Sequence, residues 1–463
     1  MIGLVILKAH LVIYARDYLF LVNIKKVASI SKSSAITFSS QILISALGLT
    51  ISIILARGLG PAGRGIYALI ILIPAVMFKL GSLGIEAANV YFTGSKRYEV
   101  KHIVSNSLFT SILLGLVLIL SFYGISHLDI FQDFLNSNQI NPLYLWLVVL
   151  TIPFSLLCGF LKNIFLGKEK IITFNKIGIF QIVFQLIAII VFVLILRQGV
   201  FGAVFSYVLA ISGVTLFAIL LIRKITKINL SFNRRLFKDS AKYGLKAYLG
   251  NLAQFFNYRL DMFLVALFLT PAAVGYYCIA VGIAEKLWMI PGAIATVLFP
   301  RVSSLQSVQA NALTPRVCRH TFLIIFVLSL ILAFFTKPLI KILFGSAFLP
   351  SVMPLLILLP GVIALGGAKT LTADLAGRGK PQLGTYAALT SLAINVPLHL
   401  YLIPKWGISG AAFASTVAYT LATVIVIIAF TKISKKSWSE VLLIKKQDFQ
   451  DYSNLLGKLR AGE

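Results

Sequence analysis

Apolar stretches long enough to cross a membrane recur along almost the whole of this 463-residue chain. A helix rises about 1.5 Å per residue, so about 20 apolar residues span the ~30 Å hydrocarbon core of a bilayer. Hydrophobic residues make up 59% of the chain and charged residues 12%, whereas a soluble domain has roughly 45–50% and 25%. The sequence therefore predicts an all-α polytopic membrane protein.

Twelve transmembrane helices are predicted from these stretches. They cover residues 35–56, 66–92, 103–126, 143–166, 173–196, 200–222, 244–268, 272–299, 320–344, 352–375, 382–404 and 407–431. With the N-terminus in the cytoplasm, the inner segments hold most of the Lys and Arg residues, as the positive-inside rule requires. We therefore expect a protein of the cytoplasmic (inner) cell membrane with both termini in the cytoplasm. The same rule accounts for the formal net charge of +28 without nucleic acid as a partner.

Three short motifs occur twice, at nearly one spacing. Pro61-Ala62-x-x-Gly65-x-Tyr67 returns at Pro271, Gly167-x-x-Lys170 at Gly377, and Gly199-x-x-Gly202-Ala203 at Gly407. The offsets are 271 − 61 = 210, 377 − 167 = 210 and 407 − 199 = 208. Ordered matches at one offset predict an internal duplication into two parallel six-helix bundles, with a binding site between them.

This duplication sets the predicted domain boundaries. They are an interfacial or cytoplasmic N-terminal segment (1–33), an N-terminal bundle (34–222), a basic cytoplasmic linker (223–243), a C-terminal bundle (244–431) and a cytoplasmic tail (432–463). KKSWSEVLLIKK in the tail predicts an amphipathic surface helix.

The seventh predicted span carries unusual polarity for a membrane helix. It reads YGLKAYLGNLAQFFNYRLDMFLVALF, with Arg259 and Asp261 in its second half. Ionisable groups at membrane depth cost about 2.5–3.5 kcal/mol each on insertion scales, so they face a cavity or a protein partner. Asn251, Gln254 and Asn257 form a candidate polar cavity stripe. Because a helix turns about 100° per residue, Arg259 lies off the stripe that Asp261 shares, and the two charges face different surroundings.

Other ionisable residues at membrane depth complete the candidate site. The cationic candidates for substrate binding are Arg259, Lys79, Lys286 and the weaker Lys369, and the candidate counter-ions or ion-coupling groups are Asp261, Glu86, Glu285 and Asp374. For the deeper cations two readings stay open, a water-filled cavity or structural pairing with a carboxylate. A basic cavity suits an anionic ligand, and a guanidinium binds phosphate bidentately.

An enzyme is not predicted. The chain has no Walker-type phosphate loop, no HExxH motif and no carboxylate pair with metal spacing, and its five histidines and three cysteines are dispersed. No predicted outer loop could hold a catalytic domain. We expect no cofactor and no metal site.

The chain resembles the Wzx-type polysaccharide flippases of the multidrug/oligosaccharidyl-lipid/polysaccharide exporter superfamily. The resemblance runs from about Ser33 to Phe430. It is carried by SSAITFSSQILISALGLTISIILARGLGPAGRGIYAL, by NYRLDMFLVALFLTPAAVGYYCIAVGIAEKLWMIPGAIATVLFPRVS and by GISGAAFASTVAY. The resemblance implies a V-shaped pair of bundles around a central cavity. It also implies a polyprenyl-diphosphate-linked oligosaccharide as substrate, flipped to the outer leaflet for surface polysaccharide synthesis.

Several expectations follow from this resemblance. Transport would proceed by alternating access, driven by an ion gradient or the membrane potential. The expected partners are membrane lipids, with the polysaccharide polymerase machinery as a further candidate. The protein is expected to be a monomer. Three alternatives stay open: a drug or metabolite antiporter of the same superfamily, which favours an acidic cavity; a lipid II flippase, which typically has two further spans; and a membrane-embedded glycan polymerase or ligase, which would need a long outer loop with clustered Arg and His.

Overall fold

The computed structural model describes residues 24–227, 231–445 and 448. The greater part of the predicted N-terminal segment and the tail beyond residue 448 lie outside the described residues. The described part is helical. Its helices are α1 (Ile24–Ser82), α2 (Ile85–Gly94), α3 (Val100–Ser126), α4 (Asp129–Ser137), α5 (Pro142–Val149), α6 (Ile152–Gly167), α7 (Ile171–Ile189), α8 (Gly199–Arg223), α9 (Arg234–Phe268), α10 (Pro271–Ala284), α11 (Met289–Ser304), α12 (Ser307–Leu343), α13 (Val352–Gly377), α14 (Gln382–Ser434) and α15 (Trp438–Leu442).

Nine helical stretches within the described ranges are long and apolar enough to cross a membrane. Two of them, in α1 and α14, run for 47 and 53 residues, which is more than twice the length that a bilayer requires. Each contains one glycine with non-helical angles, Gly60 (φ 68°) in α1 and Gly407 (φ 59°) in α14. Only glycine adopts such angles without strain, so the chain breaks direction there between two predicted spans.

The predicted seventh span lies in α9 but is not one of the nine stretches. Its charged and amide residues lower its hydropathy, although the helix continues for 35 residues. The structure thus establishes an all-helical membrane protein, and the count of twelve spans in two bundles remains a prediction.

The repeated motifs have equivalent local geometry in both copies. A methyl group at Gly167 would lie 2.6 Å from the Val90 carbonyl oxygen, and one at Gly377 would lie 2.9 Å from that of Phe299. The contacted residues are separated by 299 − 90 = 209 positions, nearly the spacing of the motifs. Both copies therefore use a glycine to bring the same pair of backbones together.

The first motif forms a reciprocal contact between its two copies. A methyl group at Gly65 would overlap the carbonyl oxygen of Pro271, and one at Gly275 would overlap that of Pro61. No side chain separates the backbones of α1 and α10 here. We call this end of the molecule, defined by Pro61 and Pro271, the proline end.

A second close contact joins α9 to the segment between α1 and α2. A methyl group at Gly84 would meet the backbone of Gly244, and the reverse also holds. The Tyr248 hydroxyl donates to the carbonyls of Lys79 (2.9 Å) and Leu80 (2.8 Å). We call this end, defined by Gly84 and Gly244, the linker end. Close backbone contacts therefore join helices at two separate levels of the molecule.

The first part of the tail is tied to α12. The short helix α15 begins with a capping box made by Ser437 and Glu440, in the stretch predicted to form a surface helix. Beyond it, the Asp448 carboxylate accepts two hydrogen bonds from Arg319, at 2.8 and 2.9 Å. Both side chains are more than nine-tenths buried, so the tail is fixed by a buried ion pair.

Candidate functional site

Arg259 forms a bidentate ion pair with Glu285. Its two terminal nitrogens donate to the two carboxylate oxygens at 2.8 and 3.1 Å. Glu285 begins a short 3₁₀ segment, Glu285–Trp288, between α10 and α11. The two side chains remain 33% and 22% exposed, although both lie within predicted transmembrane spans. The pair therefore borders an open space instead of being sealed within the protein.

Lys369 lies on the same side, over aromatic rings. Its Nζ is 4.3 Å from the centre of the Trp288 ring and 5.4 Å from that of Tyr258. Tyr419 packs against both rings, and the Trp288 indole donates to the Val362 carbonyl at 3.0 Å. No carboxylate in the described ranges lies within ion-pair distance of Lys369. Cation–π attraction holds this ammonium, which leaves it free to attract an anion.

Asp261 lies in a separate, buried hydrogen-bond chain. Its carboxylate accepts from the Tyr277 hydroxyl (2.9 Å) and from its neighbour's backbone N–H (2.8 Å). The Tyr277 hydroxyl lies 3.3 Å from Ser415 Oγ, which lies 3.4 Å from His399 Nε2. Helices α9 and α10 and the two parts of α14 thus contribute to one chain of polar side chains. As their angular separation on the helix predicts, Asp261 and Arg259 have different partners.

The predicted polar stripe divides into two environments. Asn257 is buried, donates to the Ala388 carbonyl at 2.7 Å and accepts from Ser391 and Asn395 at 3.4 Å. It therefore ties α9 to α14. Asn251 and Gln254 are exposed, and Gln254 donates to the Tyr258 hydroxyl at 2.9 Å.

The remaining candidates fall into three places. Lys286 is exposed and interacts electrostatically with Glu285, so it joins the Arg259 cluster. Lys79 and Glu86 interact with each other, together with Lys162, on α1, α2 and α6. Asp374 is fully buried and lies elsewhere, where it accepts from Thr314 (2.6 Å) and Arg378 (2.6 Å). Its contacts are those of a structural carboxylate that joins α12 to α13.

Sequence reasoning did not single out Tyr258, Trp288, Tyr277, Ser415 or His399. Aromatic and hydroxyl residues in apolar spans have the same sequence pattern as packing residues, so only their convergence in space identifies them. Among the described residues, no group of His, Cys, Asp and Glu side chains is arranged to hold a metal ion.

Known proteins place this arrangement in a family. A family model described as polysaccharide biosynthesis protein matches residues 54–353, which is more than half of the chain. The chain belongs to the polysaccharide biosynthesis protein family. The resemblance predicted from the sequence is thereby confirmed.

Two relatives of this family member are named as a flippase and a transporter. A Haloferax volcanii protein named as a probable low-salt glycan biosynthesis flippase is 25% identical over 213 residues, covering 43% of this chain and 44% of that relative. The chain thus matches less than half of that relative's length. A Shigella flexneri protein named as an O-antigen transporter is 25% identical over 386 residues, covering 79% of this chain and 89% of the relative.

Solved structures agree on the fold of this polysaccharide biosynthesis protein. The lipid II flippase MurJ, in an inward closed conformation, superposes with a TM-score of 0.74 at 16% identity, covering 91% of this chain and 96% of that one. A multidrug resistance MATE transporter of the MOP superfamily gives 0.63 at 15% identity, covering 85% and 96%. The relatives and structures compared are named as transporters and flippases, in agreement with the prediction that the chain is not an enzyme.

Proposed function

We propose that this protein flips polyprenyl-diphosphate-linked oligosaccharide from the cytoplasmic to the outer leaflet for cell-surface polysaccharide synthesis. The proline end faces outward, both termini are cytoplasmic, and two six-helix bundles (34–222 and 244–431) rock about the cavity between them. Support comes from the family and from the names of the two relatives, a glycan biosynthesis flippase and an O-antigen transporter. The repeated glycine contacts support the division into two bundles.

The observation that carries the proposal is the partial exposure of Arg259 at membrane depth. A guanidinium facing lipid would be costly, so an exposed one indicates a polar cavity. Arg259, Lys286 and Lys369 supply three positive charges there against the partly buried carboxylate of Glu285. That excess matches a diphosphate, because phosphate oxygens accept charge-assisted, bidentate hydrogen bonds from arginine.

The geometry also supports a role for Glu285. Its carboxylate neutralises Arg259 through two hydrogen bonds. An arriving diphosphate competes with this carboxylate for the guanidinium, so binding rearranges the 3₁₀ segment Glu285–Trp288, a geometry that often marks a hinge. Asp261 lies in the adjacent buried chain, where an ion-coupling group would be shielded from the cargo.

The test is leaflet-resolved detection of diphosphate-linked oligosaccharide in cells that lack the protein. We expect cytoplasmic-face accumulation that the intact chain relieves and Arg259→Gln does not. Lys176→Gln is the matched control, because Lys176 is an exposed lysine outside the cluster and its loss should leave flipping intact.

A different result would redirect the proposal. Unchanged export in cells without the protein, combined with altered tolerance of cationic drugs, would favour an ion-coupled antiporter of the shared fold. Wild-type flipping by Arg259→Gln, with export still dependent on the protein, would remove Arg259 from the site and leave the flippase function standing.

A further inference from the structure

Arg57 bridges the two predicted bundles at the proline end. It lies near the end of the first predicted span, four residues before Pro61. Its Nε donates to the carbonyl of Leu343 at 2.9 Å, and its Nη2 donates to that of Ile342. Those carbonyls belong to the last turn of α12, which lies in the other predicted bundle. Arg57 therefore makes a hydrogen-bonded connection that must break if the bundles separate at this end.

The carbonyls that Arg57 binds are the unpaired ends of a helix. The last carbonyls of an α-helix have no intrahelical donor and carry partial negative charge. The backbone N–H groups of Phe344 and Gly345 turn back to Ile340 and Lys341, and so they leave Ile342 and Leu343 to the guanidinium. Arg57 thus acts as a C-terminal cap for α12.

This cap leaves the arginine charge incompletely compensated. The chain has neither Asp nor Glu from residue 18 to 85 or from 286 to 373, the two segments that meet here, whereas Arg64, Lys337 and Lys341 add positive charge to them. Arg57 is exposed, and neutral carbonyls are weaker acceptors than an oxyanion. A phosphate that reaches this point would compete successfully for the guanidinium.

We infer that Arg57 binds different partners in two states of the proline end, which we call the outer gate. When the gate is closed, Arg57 caps α12. When the gate is open, Arg57 binds a phosphate of the departing cargo. This inference rests on the proposed function, which puts the proline end outside and makes the cargo a diphosphate. Phosphate binding and gate opening are then linked, because the one guanidinium cannot bind the α12 carbonyls and a phosphate at the same time. The chemistry recognised is a phosphate oxyanion presented at the outer surface.

The experiment measures the gate and the ligand together. Spin labels are placed at Ala62 and Ser346, which are exposed on the two sides of the proline end, after Cys158, Cys278 and Cys318 are replaced by alanine. Their separation is measured in phosphatidylcholine nanodiscs as inorganic diphosphate is added. We expect diphosphate to populate a longer distance, with the half-saturating concentration raised about tenfold or more in Arg57→Gln.

Two further variants test whether the guanidinium group and its position are required. Arg57→Lys keeps the charge but loses the planar fork, so it should bind diphosphate with intermediate affinity. Lys405→Gln is the matched control, since Lys405 is an exposed cation that bonds Tyr401 within its own helix, and it should behave as the unmodified chain does. Without ligand, Arg57→Gln should already show more of the longer distance because its cap is lost.

Three outcomes would overturn the inference. Diphosphate could leave the distance unchanged, or it could open Arg57→Gln at the same concentration as the parent. Alternatively, phosphatidylglycerol added to the nanodiscs could open the gate fully without diphosphate, which would assign the site to lipid headgroups. Flipping of lipid-linked oligosaccharide, assayed in parallel, distinguishes the two proposals. Flipping with an Arg57-independent gate would end the inference alone. An Arg57-dependent gate without flipping would end the proposed function, and with it the identity of the cargo, but would leave Arg57 as a phosphate-linked gate residue.

Discussion

Arg259 and Asp261 are two positions apart on α9, yet they perform different physical tasks. Arg259 borders the open space beside Glu285, whereas Asp261 is sealed among Tyr277, Ser415 and His399. A rotation of about 200° around the helix axis separates them. One helix therefore presents a partly exposed ion pair on one side and a buried polar chain on the other.

Replacement of Glu285 by glutamine should strengthen anion binding. The change removes the carboxylate that neutralises Arg259 and leaves the cluster with three cations. We expect the dissociation constant for a short-chain polyprenyl diphosphate to fall about tenfold, equivalent to about 1.4 kcal/mol. Calorimetric titration of the purified variant measures this, and unchanged or weaker binding would contradict the role given to Glu285.

Replacement of Asp448 by asparagine should release the tail. Burial of the carboxyl group opposes ionisation, but the hydrogen bonds from Arg319 outweigh it and hold the pKa of Asp448 below its ordinary value. A lowered folded-state pKa means that the contribution is complete at neutral pH and is lost as pH falls through that pKa. Loss of one partner of a buried pair costs about 3 kcal/mol, so we expect a lower Tm at neutral pH and convergence with the parent in acid.

The exposed acid Glu99 offers a control for this measurement. It pairs with Lys101 at the surface, where ion pairs contribute little. Thermal unfolding of Glu99→Gln should match that of the parent at both pH values. A Tm for Asp448→Asn equal to that of the parent at neutral pH would show that the buried pair does not hold the tail.

At the scale of elements, hydropathy predicted the nine stretches of the described ranges that are long and apolar enough to cross a membrane, because apolar length is itself the signal. Hydropathy missed the first ten residues of α9, which starts at Arg234 instead of near 244, because a helix beyond the bilayer needs no apolar residues. It also missed the 3₁₀ segment Glu285–Trp288 and the π-helical segment Ile190–Ile195. Such local changes of winding depend on neighbouring helices, which a single sequence does not display.

Site residues were predictable only as far as charge at membrane depth is unusual. Arg259, Glu285 and Lys369 stood out in apolar sequence, and the structure brings them together. Their pairing depends on how α9, α10 and α13 pack, and no sequence spacing encodes that. Asp374 is equally unusual in an apolar sequence, yet its contacts with Thr314 and Arg378 are structural. A structural carboxylate and a functional one have the same sequence pattern, so the sequence could not distinguish them.

A methyl group at Gly65 should prevent full closure of the proline end. In Gly65→Ala the added group would overlap the Pro271 carbonyl, which is backbone and has little freedom to move. We expect the closed contact to be destabilised by about 1–3 kcal/mol, seen as a longer spin-label distance at the proline end. Gly282→Ala on α10 has open space around it and should leave the distance unchanged; an equal shift in both variants would contradict the prediction.

At the scale of the whole molecule, close backbone contacts hold the helices together at both ends. The proline end is held by Gly65, Gly275 and Arg57, and the linker end by Gly84 and Gly244. Alternating access requires one level to open while the other stays shut. The helix α9 takes part at the linker end through Gly244 and ends at Phe268, three residues before Pro271, so it runs from one level to the other.

Exchange of the two motifs tests the proposed equivalence of the bundles. A chain with PAAVGYY at residues 61–67 and PAGVGIY at 271–277 keeps both prolines and both close-contact glycines, and it retains valine at the buried position 274. We expect it to insert, and to close at the proline end, as the parent does. Failure to close, seen as a lasting long distance between labels at Ala62 and Ser346, would mean that the two copies have diverged in role.

The reciprocal contact at the proline end also bears on the evolutionary origin of the chain. Gly65 lies against Pro271 while Gly275 lies against Pro61, so residue i meets j and j meets i. That is the defining property of an isologous interface in a two-fold homodimer. A six-helix ancestor with a single copy of the motif could have closed its pore by pairing with itself, and gene fusion would then have joined two protomers that already fitted. Expressed as separate polypeptides, the two present bundles should still recognise each other through this contact.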